Sequence, residues 1–504
     1  MASPTKASWS TRSGLTEYEV EPFAKRQARF GPALDAIKAL HAWKPKDFVL
    51  DQDRLRRLYS KDKSSHIPSV PAAAVAPLSP ALVGAIVKIC AKEKVPITPR
   101  GAGTGLEGAC IPYAGGIVID TGNLQRLDID CENACVWVGA GVSKLHLSKA
   151  VAKHGFVFGP DPSSNPSVGG MVATSGSGMS TLKYGTTREN VISLLVVTPQ
   201  GNLVQTRQVV RKSSAGLELT QLYIGSEGTL GIVCEACFRL FPATKHNAGG
   251  YATFDSTEDA VRAVVAVKRA AAPDTLLRCE LLNKGAVICA NNYSHTSLPE
   301  SATVLLEFVS NDSWLRDVRK DYKALERIFK KEGRARSTRF LKDGKQMDSV
   351  WDARRGCLFA TMNCSKEKGV QQVITTDVCV PLSKLAQCVS ETEADFAVND
   401  RPCLICAHIS DGNFHILIPY CDPEDFKRAR ELEQRMVVRA VEAGGTVSGE
   451  HGIGVGKVCH VVREHGKGHI AVQESIKRAL DPDNIMNPGC FYPSQQVLFP
   501  TAHL

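Results

Sequence analysis

The sequence predicts an α+β fold in two or three domains, and three observations carry that expectation. The first half alternates short strand-like runs with glycine-rich loops: PRGAGTGLEG at 99–108, the stretch 160–188, and GSEGTLG at 225–231. Around residues 243–250 the texture changes, and long amphipathic helices begin to alternate with strands such as TVLLEFVS. At 504 residues the chain is long enough to bury several cores of ordinary domain size. Composition and pattern together divide it into a helical extension over 1–64, a first domain over 65–243, a second over 244–440, and a C-terminal segment over 441–504 expected to return to the cleft between the two domains.

Taken in order, the chain starts with helical periodicity over roughly 31–63. In SPALVGAIVKICAKEKV, Ser79 stands where an N-cap belongs, with Pro80 at the first helical position. The strand VPITP, the loop at 100–108, and the strands GGIVID and CVWVGAG follow, and a helix beginning after Ser143 stops at Gly155. VISLLVVTPQGNLVQT reads as a hairpin turning at 199–202, and IVCEACFRLFP as a strand after the third glycine loop. Amphipathic helices are expected at 258–271 and 313–331, and another beginning near Asp348 carries Trp351, Arg354 and Arg355.

Composition excludes several classes. A hydrophobic share of 43% with 22% charged residues is that of a soluble globular chain. No apolar run approaches the roughly 20 residues of a membrane span. The net charge of +9 is dispersed, and the densest basic run, 316–345, interleaves acids at helical spacing, so nucleic-acid binding is not expected. Most of the 17 cysteines lie in apolar runs (Cys90, Cys234, Cys237, Cys279, Cys289, Cys379), as buried thiols of a reducing compartment do. Cys403 and Cys406 have CxxC spacing, but on a strand they face opposite ways. The first 16 residues, with Lys6, Arg12 and no acid, carry a mitochondrial-type signal, and the final Ala502-His503-Leu504 fits the peroxisomal (glycosomal) address; the second is favoured.

The stretch 160–188 is rich in Gly, Ser and Thr and cannot form a core. Bare backbone and hydroxyls there can meet phosphate or ring-edge acceptors. Gly103-Thr104-Gly105-Leu106-Glu107-Gly108 matches G-x-G-x-x-G, but Pro112 and two glycines follow where a Rossmann helix would have to start. The loop is therefore expected to cradle phosphate as a nest of N–H groups with Arg100 nearby. Three such loops suggest one large cofactor in an extended pose.

In CLICAHISDGNFHILI two apolar runs flank a Ser-Asp-Gly-Asn turn. A turn at 410–413 would set His408 directly opposite His415 on the non-core face, with Ile405, Ala407, Ile409, Phe414, Ile416 and Ile418 on the other. Two imidazoles side by side suit one metal ion, and Glu450 in the glycine-flanked GGTVSGEHGIGVG offers a carboxylate, leaving His451 as a base.

PRGAGTGLEG, the DP…SVGG…SGSG…YG floor and GSEGTLG resemble the PCMH-type FAD-binding domain, in two subdomains, of the vanillyl-alcohol-oxidase type of flavoproteins. With WDAR, TDVCVP, the His-x-x-Asp-Gly-Asn-Phe-His hairpin, SGEHGIG and a final DP…MNPG, the chain from about residue 65 resembles the FAD-dependent D-2-hydroxyacid dehydrogenases, in particular the D-lactate dehydrogenase branch. The resemblance implies an α+β cap domain with an antiparallel sheet. It implies FAD contacts from Arg100, Gly101, Ala102, Gly103, Thr104 and Gly105, from Asp161, Ser167, Val168, Gly169, Gly170, Thr174, Gly176, Gly178, Ser180, Tyr184 and Gly185, and from Glu227, Gly228, Ile232 and Asn487. Thr104 stands where some relatives carry a His bonded to the flavin, which implies non-covalent FAD.

The resemblance also implies His408, His415 and Glu450 as ligands of zinc or manganese, His451 as catalytic base and Arg354 as carboxylate anchor. The implied partners are a small D-2-hydroxy acid and an electron acceptor (cytochrome, electron-transfer flavoprotein or quinone), with a homodimer possible in the family. Departures stand at Ser410 (Gly in many relatives), Leu217-Glu218, Cys490 (commonly Lys) and Thr375-Thr376, where relatives specific for 2-hydroxyglutarate carry Lys before the Asp. The last favours a monocarboxylate.

Overall fold

The structure is a computed structural model that describes residues 23–493 apart from 271–272, 312–314, 343, 365–368 and 370–371. Both terminal targeting signals lie outside the described residues. The chain divides into two compact units. Among the described residues one collects 23–177, 186–242 and 450–493; the other lies within 178–185 and 243–449.

The first unit holds two sheets. A four-stranded sheet runs in the order Phe48–Val49, Ala73–Val75, Ile117–Asp120, Ile97–Arg100, with the last two pairings parallel. A five-stranded antiparallel sheet runs Leu127–Asp130, Cys135–Gly139, Ile232–Arg239, Val191–Val197, Leu203–Gln205. Each has its own core, one around Ile86, Val87, Ile97 and Ile117 and the other around Val136, Leu194 and Phe238. The helix Pro80–Lys92 starts as expected: the Ser79 side chain accepts from Leu82 N–H. The hairpin over 191–205 turns where expected, with Val197 opposite Leu203.

Three local expectations fail. In place of one helical stretch over 31–63 stand two helices, Phe23–Ala39 and Gln52–Tyr59, parted by the strand Phe48–Val49. Pro45 cannot continue a helix, and Asp51 caps a new one by accepting from Arg54 N–H. The glycine floor is not all loop: it contains the short helices Val168–Thr174, Thr181–Tyr184 and Thr187–Asn190, capped by Ser and Thr side chains at the first and third. The helix carrying Trp351 begins at Gly344, ahead of Asp348.

The second unit is built on one eight-stranded antiparallel sheet, in the order Ser337–Leu341, His246–Phe254, Ala302–Ser310, Leu276–Leu282, Ile405–His408, Asn413–Tyr420, Gln372–Thr375, with Val378–Cys379 also paired to Asn413–Tyr420. Its register sorts the side chains into two faces. One presents Phe254, Phe308, Ile405, Ala407, Phe414, Ile416 and Ile418, all at most 2% exposed, and is covered by helices including Thr257–Arg269 and Arg316–Glu332. The other presents Tyr251, Leu305, Glu307, Arg278, Glu280, Leu282, Cys406, His408, His415 and Leu417. Helices Lys284–Ser294, Gly344–Arg355 and Cys357–Cys364 pack on this face through Val287, Trp351 and Cys357.

The histidine hairpin departs from its expected register. Cys406 lies opposite His415 and His408 opposite Asn413, so the turn spans 409–412, with Gly412 at φ 83°. The turn closes one residue early because only Gly412 accepts the left-handed backbone cheaply at that point. The slip amounts to two in pairing, which preserves the face; a slip of one would have sent one imidazole to the opposite side. The face itself is not solvent-facing, since His408 and His415 are 4% and 5% exposed.

Candidate active site

In the second unit the two imidazoles meet edge to face, ring centroids 5.5 Å apart at 89°. His415 Nδ1–H donates to the Thr376 carbonyl at 2.9 Å. A carbonyl only accepts, so the proton sits on Nδ1 and the lone pair of the neutral ring on Nε2. Asp377, 1% exposed, stands 3.7 Å from the same nitrogen and accepts from Asn413 Nδ2 (2.7 Å) and Ser448 Oγ (2.8 Å).

His408 Nδ1 lies 2.7 Å from Glu280 Oε1. The other oxygen of Glu280 takes two bonds from Arg354, Nη2 at 2.7 Å and Nε at 3.0 Å. Glu280 is 1% and Arg354 4% exposed. Burial works against the Arg354 charge, but Glu280, together with Cys406 and Cys357, more than offsets it and holds the guanidinium protonated. Arg354 is therefore engaged by a carboxylate of its own chain, which the anchor role expected of it did not include. Cys406 is hydrogen-bonded by Cys357 and lies near Arg354 and both imidazoles, which pulls its thiol pKa down despite burial. Cys403 and Cys406 do not act as a CxxC pair, but not for the reason expected: Cys403 lies outside the strand Ile405–His408, and the thiol that Cys406 meets is Cys357. All 17 cysteines are free, and Cys379 is half-buried where full burial was expected.

In the first unit, two glycine loops are tied together: Ser167 Oγ accepts from Ala102 N–H (3.4 Å) and Gly170 N–H (3.3 Å). Gly103 needs its positive φ of 67° and lies under the Arg100 guanidinium, which donates to Lys61 O at 2.9 Å. Gly105 and Gly176 differ: their φ is ordinary and an added Cβ would find nothing nearer than 3.4 Å. Neither conformation nor packing within the chain demands glycine there, so the bare backbone suits a closely seated ligand.

Other expected contacts turn inward. Asp161 pairs with Lys144 at 2.9 Å, Val168 is buried in the core, and Asn487 Nδ2 donates to Ala109 O (2.9 Å) and Glu227 O (2.8 Å). Glu227 accepts from Ile453 N–H (2.6 Å), Gly454 N–H (2.7 Å) and Cys490 Sγ (3.4 Å), and burial pushes its carboxyl up to about 7. Thr104 is half-buried in the first loop, and Ile232 opens the strand after Gly228. Gly178, Ser180, Tyr184 and Gly185 belong to the second unit. Glu450 Oε2 accepts from Ser177 Oγ at 2.7 Å, and His451 Nε2 lies 4.0 Å from Glu450 Oε1.

Sequence reasoning missed Glu280, Asp377 and Ser448 as site residues. The signal for Glu280 was present: a carboxylate inside the strand LLRCELL, where burial is expensive unless paired.

Residues 71–207 match the model of an FAD binding domain and 243–490 that of the C-terminal domain of FAD linked oxidases. The mitochondrial cytochrome-type D-lactate dehydrogenase of Arabidopsis thaliana is 35% identical over 86% of this chain and 74% of its own length. The chain belongs to the FAD-linked oxidases. Like other proteins of this family it is an FAD-dependent oxidoreductase. The probable mitochondrial D-lactate dehydrogenase of Danio rerio is 35% identical over 86% of this FAD-linked oxidase and 87% of its own length. Glycolate oxidase subunit GlcD of Bacillus subtilis is 34% identical over 87% and 93%. The fold is also that of p-cresol methylhydroxylase (TM-score 0.74, 18% identity, 92% of this chain and 96% of that one) and of alkyldihydroxyacetonephosphate synthase (0.69, 20%, 91% and 85%). Among the described residues no helix is long and apolar enough to cross a membrane.

Proposed function

We propose that this FAD-linked oxidase oxidises D-lactate, or a D-2-hydroxy acid of similar size, to the 2-oxo acid. The observation that carries the reading is the pair His408 and His415, each with Nδ1 engaged by an acceptor of its own unit and therefore with an Nε2 lone pair for a ligand. That donor set fits zinc or manganese, with Glu450 as the carboxylate. Glu450 follows by one peptide bond the segment Ser448-Gly449, which packs on Asp377 and Asn413. A divalent ion bound there would supply Lewis acidity to the substrate hydroxyl.

The open glycine backbones at Gly105 and Gly176 fit FAD, which would be held non-covalently by Gly101 to Gly105 and by the floor from Ser167 to Gly176. When bound, FAD supplies the acceptor for the hydride leaving the substrate Cα. The residues of the chain bind and orient. His451 takes the hydroxyl proton, Arg354 orients the substrate carboxylate through the donors not given to Glu280, and the buried surroundings exclude water. Thr375-Thr376 offer no cation to a second carboxylate, which favours lactate over 2-hydroxyglutarate.

Glycolate is a second reading, supported by the likeness to GlcD. A non-redox transferase of the ether-lipid synthase type has only the fold likeness in its favour, and this chain has no run of three histidines. The names of the relatives suggest cytochrome as electron acceptor and the mitochondrion as compartment. Anaerobic addition of D- and L-2-hydroxy acids to the purified yellow protein tests the reading. D-lactate should bleach the flavin band and L-lactate should not; bleaching by neither lactate nor glycolate would sink it.

A further inference from the structure

We infer that Glu280 is the positioning residue of this site, setting the tautomer of His408 with one carboxylate oxygen and fixing Arg354 with the other. The inference rests on the reading of His408 as a metal ligand. The register that pairs Leu281 with Ala407 and Leu282 with Cys406 sets Glu280 across from His408 on the same face of the sheet. Arg354 comes down from the helix Gly344–Arg355. Oε1 meets His408 Nδ1 at 2.7 Å, while Oε2 takes Arg354 Nη2 at 2.7 Å and Nε at 3.0 Å.

At 1% exposure the carboxylate is out of water, and both its oxygens are used. A carboxylate has no proton to give, so His408 must carry its own on Nδ1, which turns the Nε2 lone pair outward as a metal requires. The same carboxylate holds the Arg354 fork in one plane, so a metal ligand and the proposed carboxylate anchor share one support. Asp377 and the Thr376 carbonyl stand at His415 Nδ1.

Glu280→Gln separates the two bonds. Arg354 presents two donors and claims the amide oxygen, leaving the NH2 group toward His408. The imidazole must then accept at Nδ1 and carry its proton on Nε2, where it cannot bind a metal.

The test uses the full-length, FAD-loaded protein labelled with nitrogen isotope at histidine, with His408→Gln to assign the resonance. His408 is expected to hold its proton on Nδ1 in the unaltered protein and on Nε2 in Glu280→Gln. The Zn2+ affinity of the chelator-stripped variant should fall about 10–100-fold, while flavin absorbance per chain stays unchanged. A merely structural role would not move the proton. If His408 stays protonated on Nδ1 in Glu280→Gln, the inference is overturned; unchanged Zn2+ affinity overturns it as well. If the unaltered protein binds neither Zn2+ nor Mn2+, the metal reading fails by itself, and the position of the proton still decides the role of Glu280. Should Glu280→Gln not fold, the unaltered protein decides: a His408 proton on Nε2 there refutes the inference, and one on Nδ1 upholds it.

Discussion

In the first unit the groups proposed to meet a ligand are bare backbone on loops, at Gly105 and Gly176. In the second they are imidazoles and a guanidinium standing on strands and a helix, each held by a carboxylate or a carbonyl. The first arrangement is local, with glycines placing backbone within a few residues. The second is long-range: Glu280 and His408 are 128 positions apart, and only the sheet register brings them together. A backbone site tolerates many side-chain changes but few added Cβ atoms, whereas a side-chain site fails with one substitution.

The comparison can be broken at several points, the largest expected effect first. His408→Ala should release the metal and abolish flavin bleaching by D-lactate, with bound FAD unchanged; elemental analysis and the visible spectrum check both. His451→Ala should lose about 10²–10⁴-fold in the rate of bleaching if it is the base, with metal and FAD retained; stopped-flow absorbance measures it. Lys477→Ala should destabilise the first unit by about 3–5 kcal/mol. It strips a buried cation from Asp481 and from the carbonyls of Thr229 and Met486, at 2.5, 2.8 and 2.8 Å. Thermal melting would reveal this without loss of the His408–His415 site.

The smallest effect expected is a pH slope. The folded carboxyl of Glu227 is raised from 4.5 to about 7. Between those values the unfolded chain has released its proton while the folded one still holds it, so the folded state binds more protons and stability falls as pH rises. The contribution is fully present below the unfolded value and lost by pH above the folded one. Glu227→Gln should flatten that part of the melting-temperature profile; an unchanged slope would show that Glu227 does not titrate in this window.

What could be read from the sequence follows the same division. The glycine loops were legible because their composition excludes a core, and the failure of a Rossmann helix after Gly108 was legible because Pro112 forbids it. The shared face of His408 and His415 was legible from strand periodicity, although Gly412 closed the turn one residue early and changed the pairing. The Glu280 bridge was not, because no local pattern reports which strand lies beside Ile405–His408. The partition of the floor at 178, and the switch of the chain to the first unit at 450, likewise depend on packing between distant segments.

The central claim, that the paired imidazoles serve as metal ligands in the oxidation of a hydroxy acid, is tested most directly by metal removal. Stripped with a chelator, the protein should stay yellow, cease to bleach with D-lactate, and regain bleaching on addition of zinc or manganese. Full bleaching of metal-free protein by D-lactate would contradict the account.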